Sequence, residues 1–192
     1  MSLKHAILGL LTIQPMTGYE LKHEAFDTSI VHFWQADQSQ IYRTLDQMES
    51  DGWVECELEV QTGRPNKRLF RITDNGRKAL REWLHSPQPP PIYREPFLVQ
   101  MFFAGMLPRN RVLEHIQQHI DAHHANLKHY AEIEKVLPQE GVSHHDQQFW
   151  SMTLDLGMAL EKTYLNWLQD CKRKVQEMPE HTNTDNDIQS HD

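Results

Sequence analysis

Residues 61–81 hold Arg64, Lys67, Arg68, Arg71, Arg77, Lys78 and Arg81 against Asp74 alone, a local formal charge of +6. Cations at that density suit a polyanion, and phosphates respond to the local field because salt screens charges beyond roughly 8–10 Å. A second group lies upstream: Ser39, Gln40, Tyr42 and Arg43, with Gln47 one turn further on. Polar side chains and an arginine at the start of a helix are the groups that read base edges in a major groove. Arg64 and Lys67 at the tip of a basic turn, with Arg68 just behind, have the reach for DNA backbone or minor groove. Glu55, Glu57 and Glu59 precede this turn, Asp46, Glu49 and Asp51 close the earlier group, and much of the remaining acid follows residue 110. That acid opposes non-specific binding.

The 13 histidines raise a metal question, because His115, His119 and His123 recur at i, i+4, i+8 with His124 adjacent. Cysteine and paired carboxylates are missing at ligand spacing, so the expectation is a polar helix face and no metal. His123 falls in an otherwise apolar seam, where a charge would be costly. Catalysis finds no support. There is no nucleophile elbow, no Gly-rich phosphate loop and no Cys beside a sequence-local His, and Cys56 and Cys171 read as inert core thiols. No cofactor is expected. Trp150, Tyr164 and Trp167, with Phe102 and Phe103, are candidates for lining a pocket for a small aromatic effector, and the plain alternative is interface core.

These groups need elements to hold them. Leu3, Ile7, Leu10 and Leu11 give a first helix that ends at Gln14-Pro15. Thr17-Gly18-Tyr19-Glu20 is a capping-box pattern opening a second helix through about Phe26. Asp37 or Ser39 caps a third, in which Ile41, Leu45 and Met48 face a core and Ser39, Gln40, Arg43 and Gln47 face away, and Gly52 closes it. The period then changes to two. Val54, Cys56, Leu58 and Val60 point inward against Glu55, Glu57 and Glu59, residues 61–67 turn, and Arg68 to Ile72 returns. Thr73-Asp74 caps a fourth helix with Ala79, Leu80, Trp83 and Leu84 on its apolar face.

Ser86-Pro87-Gln88-Pro89-Pro90-Pro91 can continue neither helix nor central strand. It divides a chain of 192 residues into a domain over 1–85, a linker over 86–91 and a helical domain over 92–178. Residues 179–192 read as a disordered acidic tail. In the second domain Phe97 to Met106 is apolar, and Leu113, Ile116, Ile120, His123, Leu127 and Tyr130 form a heptad-like seam. The last helix carries two seams, Trp150, Gly157, Leu160, Tyr164, Trp167 and Cys171 on one side and Leu154, Met158, Leu165, Leu168 and Val175 on the other. A helix apolar on two sides must be covered on two sides, so Leu154, Met158, Leu160, Tyr164, Leu165, Trp167 and Leu168 are expected to form a homodimer interface. Mean hydropathy is −0.68 and no apolar run approaches the roughly 18 residues of a membrane span, so a cytoplasmic chain without membrane contact is expected.

Three helices, a basic hairpin and a fourth helix follow the order of a winged helix-turn-helix, here joined to an all-helical C-terminal dimerisation domain in a mainly α fold. The motifs Ala6-Ile-Leu-Gly-Leu-Leu, Gly18-Tyr19-Glu20-Leu21, Ser39-Gln40-Ile41-Tyr42-Arg43-Thr44-Leu45, Met48-Glu49-Ser50-Asp51-Gly52-Trp53-Val54, Gly63-Arg64-Pro65, Arg71-Ile72-Thr73 and Gly76-Arg77 resemble the PadR family of bacterial transcriptional regulators. Beyond the linker, Arg94-Glu95-Pro96-Phe97-Leu98 and Phe102-Phe103-Ala104-Gly105 resemble its longer form, with a multi-helix C-terminal domain. The resemblance implies a dimeric regulator, commonly a repressor, that binds a pseudo-palindromic operator in double-stranded DNA and sometimes a small effector such as a phenolic acid. It implies that Ser39, Gln40, Tyr42 and Arg43 meet DNA, that Tyr19 and Lys22 lie along its backbone, and that Arg64 and Lys67 form the wing tip. The acidic first wing strand departs from the family pattern. It leaves two readings open, weak DNA affinity or a wing held by pairs to Arg68 and Arg71. The rival function is a non-DNA-binding helical sensor or scaffold that keeps the winged shape for protein contacts.

Overall fold

The computed structural model describes residues 3–59, 67–136 and 143–179. The chain opens with helix α1 (Leu3–Ile13), a two-residue strand β1 (Met16–Thr17) and a short helix α2 (Gly18–Glu20) that continues as a π-helical stretch, Leu21–Phe26. Thr17 caps α2 through the expected reciprocal box, its hydroxyl accepting from the Glu20 amide while its own amide donates to the Glu20 carboxylate. Helix α3 (Gln38–Ser50) follows, then strands β2 (Val54–Glu59) and β3 (Lys67–Ile72) and helix α4 (Asp74–His85). Asp37 is the α3 cap, and Gly52, at φ 68°, takes the left-handed conformation that closes the helix.

The three strands form an antiparallel sheet in the order β1-β3-β2, with Met16 opposite Phe70 and Cys56 opposite Phe70 on its other side. β1 is an element that sequence reading missed, because two residues carry no period. Ile7, Leu8, Leu21, Phe26, Ile41, Leu45, Met48, Val54 and Phe70 are buried in one core beneath this sheet. Burying nine such side chains at about 1.5–3 kcal/mol each is what holds the unit against chain entropy. Two expected core members are not there. Leu58 is 64% exposed, since the hairpin outruns the helices beneath it, and Leu84 is 66% exposed in the last turn of α4. Val60, Arg64 and residues 180–192 of the expected tail lie outside the described residues.

Ser86 to Glu95 carries no helix or strand. Helix α5 (Pro96–Phe102) starts with proline at its first position and a Glu95 cap, and a 3-10 turn at Ala104–Met106 leads to the long helices α6 (Arg109–Val136) and α7 (His144–Glu177). The chain divides into two compact units, Met1–Pro90 with Glu132–Gly157, and Pro91–Ala131 with Met158–Asp192. In the second, Phe97, Val112, Ile116, Ile120, Leu165 and Leu168 form the core, with Leu127, Trp167, Cys171 and Val175 packed against it. The α6 seam is as periodic as its sequence, except that Val112 is buried and Leu113 only half-buried. In the first unit His32 Nε2 and Thr153 Oγ1 are hydrogen-bonded at 3.2 Å, tying the segment before α3 to α7.

Candidate nucleic-acid interface

On α3 the 3.6-residue period sorts the side chains. Ile41, Leu45 and Met48 are buried, whereas Ser39, Gln40, Arg43 and Gln47 are exposed on the opposite face. The helix start is tightly organised. Asp37 Oδ1 accepts from the Ser39 hydroxyl at 2.6 Å and from the Gln40 amide at 2.8 Å, while Gln40 Oε1 accepts from the Asp37 amide at 3.2 Å. The Ser39 hydroxyl and the Gln40 amide hold the Asp37 carboxyl below its usual range, so the cap stays ionised. Arg43 makes a long 3.4 Å contact from Nε to the Ser39 carbonyl and its charge favours the ionised Asp37 cap, and Gln47 donates to Asp51 Oδ1 at 2.8 Å.

Tyr42 behaves differently from its neighbours. It is half-buried, and its ring lies 2.6 Å from where a Cβ on Gly18 would stand, so Gly18 makes room for it and α2 docks on α3 there. Tyr19 is exposed and its ring centroid lies 4.4 Å from that of His23. Lys22 is half-buried and its ammonium is paired with Asp27.

The wing presents Lys67, exposed at the start of β3, opposite Glu59 in register. On the outer face Arg71 Nε lies 3.5 Å from Glu57 Oε2, the cross-strand pair that the acidic strand suggested. Arg68 directs its ion pairs to α3 instead of the β2 glutamates. Its Nη1 and Nη2 donate to Asp46 Oδ1 and Glu49 Oε2 of α3, each at 2.8 Å, and its Nε points at Cys56 Sγ, 3.5 Å away. The hydrogen bond to Cys56 and the Asp46 carboxylate raise its already high pKa further. Asp46 and Glu49 were not read as partners of the wing. The signal was present in the period of two, which puts Arg68 on the same inward face as Phe70 and Ile72.

The residues expected at a dimer interface separate into two groups. Leu154, Leu165 and Leu168 are buried, the latter two inside the core of the second unit, so this chain already covers them. Met158, Tyr164 and Trp167 are half-buried. Leu160 is 52% exposed, and α7 also exposes Phe149, Met152 and Leu156. The residues expected around an effector are divided between the two units. Phe102 and Phe103 are exposed and meet edge to face, while Trp167 meets the edges of Phe97 and Tyr164. Trp150 is half-buried in the first unit. A cavity of about 430 Å³ lies instead beside the start of α3, lined by Lys22, Phe26, Asp27, Gln35, Asp37 and Gln40 among others.

The histidine helix face is used for packing. His119 stacks on Phe97 with ring centroids 3.7 Å apart, and desolvation, with His123 and His115 nearby, lowers its pKa. His123 Nδ1 lies 2.5 Å from Glu161 Oε2 and its ring stacks on Tyr164. Asn126 holds the other Glu161 oxygen at 3.2 Å. Among the described residues no three His, Cys, Asp or Glu side chains are grouped to hold a metal, and no helix is long and apolar enough to cross a membrane. Burial raises the Cys171 thiol, which disfavours its reactive thiolate.

A capped third helix with a polar outer row, followed by a hairpin whose second strand also pairs with β1, defines a winged helix-turn-helix module. A model described as the transcriptional regulator PadR-like family matches residues 7–82, and one described as virulence activator alpha C-term matches residues 93–176. A protein of Mycobacterium tuberculosis described as a probable transcriptional regulator is 47% identical over 90 residues, which is 47% of this chain and 47% of that one. The match thus spans about half the length of that relative. The negative transcriptional regulator PadR of Bacillus subtilis is 28% identical over 171 residues, covering 87% of this chain and 93% of its own. The crystal structure of B. subtilis PadR in complex with operator DNA superposes with a TM-score of 0.76 at 26% identity, covering 91% of this chain and 99% of that one. The same protein in complex with p-coumaric acid gives 0.70 at 27%, covering 92% and 100%. Residues 7–82 of this chain are a PadR-like transcriptional-regulator domain.

Proposed function

We propose that this regulator acts in the cytoplasm as a homodimeric repressor, reading a pseudo-palindromic operator with α3 while Tyr19, Lys22 and the wing meet the DNA backbone. One observation carries the reading. Ser39, Gln40, Arg43 and Gln47 stand exposed in one row on α3, directly across the helix from Ile41, Leu45 and Met48. The core locks the helix in rotation, so the row keeps its aim, and its groups are those that pair with base edges. The likeness to a PadR structure that holds operator DNA supports this use, and the name of that relative, a negative regulator, supports repression. Control by a small aromatic acid is part of the proposal, resting on the relative solved with p-coumaric acid. The protein works by binding and needs no catalytic residue.

A single winged module buries too little surface for tight specific binding, so two must be held about one DNA turn apart, roughly 34–36 Å. Leu160 is the seam residue left half in solvent, and we assign it to the dimer contact. A charge at Leu168 would unfold the protomer, because that side chain is 0% exposed in its own core. Leu160→Glu is therefore the informative variant. Genomic footprinting defines the operator, and sedimentation equilibrium with titration of the labelled operator then tests the assembly. The expected result is a folded monomer that has lost operator binding. A folded monomer with undiminished operator affinity would refute the dimeric mechanism.

A further inference from the structure

The winged hairpin is an arm. Among the described residues only its base, where Val54 faces Ile72 and Cys56 faces Phe70, is seated on the core, and beyond that pair the inward face carries Leu58 opposite Arg68. Leu58 is 64% exposed and anchors nothing. Arg68 is the next inward residue after Phe70, and its guanidinium lies over the Phe70 ring at 4.9 Å. From there it spans to α3, with 2.8 Å ion pairs to both Asp46 and Glu49. Those carboxylates are one helical turn apart on the face towards the wing, and a planar fork can bridge both where an ammonium would meet one. Together these contacts make the hairpin's one polar attachment to α3 among those described.

We propose that Arg68 is a positioning residue, which clamps the wing to the C-terminal half of α3 and thereby sets where the wing tip meets DNA. The inference rests on the DNA-binding reading above and gives Arg68 a role other than phosphate contact. Charge supports that role. A phosphate approaching this corner meets two carboxylates and one guanidinium, a local −1, so Arg68 attracts nothing that its partners do not repel. The clamp also neutralises part of the acid that α3 presents beside the wing. In this arrangement α3 and the wing move as one body, and the cations near the tip approach the backbone in a direction set by the helix.

The test uses the full-length protein and its footprinted operator. Arg68→Gln is expected to weaken binding about fivefold, the upper range for a partly exposed pair network, and to leave the slope of log K against log salt unchanged. Asp46→Asn with Glu49→Gln is expected to weaken it by the same factor, although it removes negative charge, and the triple variant should bind no worse than either. Arg68→Lys should not rescue, since it keeps charge but not the fork. In the DNA-free protein the Arg68 Nε–Hε NMR signal should shift when the two carboxylates are neutralised, and that readout stands whatever the DNA result. An unmoved signal, full rescue by lysine, or unchanged affinity in both variants would overturn the clamp. So would a slope lowered by about 1 in Arg68→Gln with tighter binding by the acid-neutral variant, which would make Arg68 a phosphate contact. Failure of the wild-type protein to bind DNA while the signal shifts would refute the DNA reading and leave the clamp standing.

Discussion

Arg43→Ala isolates base reading from every other part of the mechanism. Arg43 is exposed, with a long contact to the Ser39 carbonyl, and its neighbours Ile41 and Leu45 carry the packing of α3. Truncation therefore opens no cavity and breaks no cap, and thermal unfolding should move by no more than about 0.5 kcal/mol. On the operator the loss should be about 1–3 kcal/mol, the value of a good bidentate contact to guanine O6 and N7, or roughly 5- to 150-fold in Kd. On random duplex the loss should be much smaller, because no base edge is matched there. The assay is a titration of labelled operator and scrambled duplex at several salt concentrations, with melting curves as the folding control. Equal losses on both duplexes, with a salt slope lowered by about 1, would make Arg43 a phosphate clamp and refute the base-reading argument.

Replacing Arg64 and Lys67 together with Ala should reduce the salt slope by about 2 on specific and random DNA alike, and an unchanged slope would remove the wing tip from the interface. Gly76→Ala should lower stability by about 1–3 kcal/mol in denaturant titration, because a Cβ there meets the Trp53 carbonyl, with Ile72 Cγ1 at 3.0 Å and Leu8 Cδ2 at 3.1 Å behind it. Desolvation lowers His119 and His32 below their ordinary 6.5, so the stability they contribute is complete above that value and is lost as pH falls from there through the folded-state values. Stability should accordingly fall as the pH is lowered through 6.5 and below, and His119→Gln should flatten that dependence; a steeper profile in the variant would show the sign to be wrong.

Much of the first unit could be read from sequence because its signals are local. The Thr17 and Asp37 boxes, the left-handed Gly52 and the spacing of Ile41, Leu45 and Met48 each act within a turn or two of chain. What escaped reading depends on contacts between distant residues. β1 exists because Met16 and Thr17 find Phe70 and Leu69, and no pattern in two residues announces that. Leu58 obeys the alternation of β2 and is still exposed, since alternation gives a direction and not the extent of the core beneath. The α7 seams show the same limit at larger scale. An apolar seam must be covered, but Leu165 and Leu168 are covered by this chain's own Phe97, Val112, Ile116 and Ile120.

The charge of the wing calls for the same distinction between count and placement. Seven cations against one acid in residues 61–81 suggest a strongly attractive arm, yet Arg68 is held by Asp46 and Glu49, and Arg71 lies against Glu57. Each pair couples part of the basic stretch to acid from elsewhere in the chain, and the acid count of the first wing strand and of α3 falls with it. Both the excess of cations and the excess of acid are thus smaller in space than along the sequence. For a chain at −8 overall this argues for weaker non-specific attraction than seven cations in a row suggest, because Arg68 and Arg71 lie against acid and have less charge left to release counterions. Discrimination must then come chiefly from the polar row of α3, whose groups act at hydrogen-bond range and gain little from a long-range field. An acidic total charge and a basic hairpin are compatible in this fold: the hairpin's charges help to hold its geometry, and the helix reads the sequence.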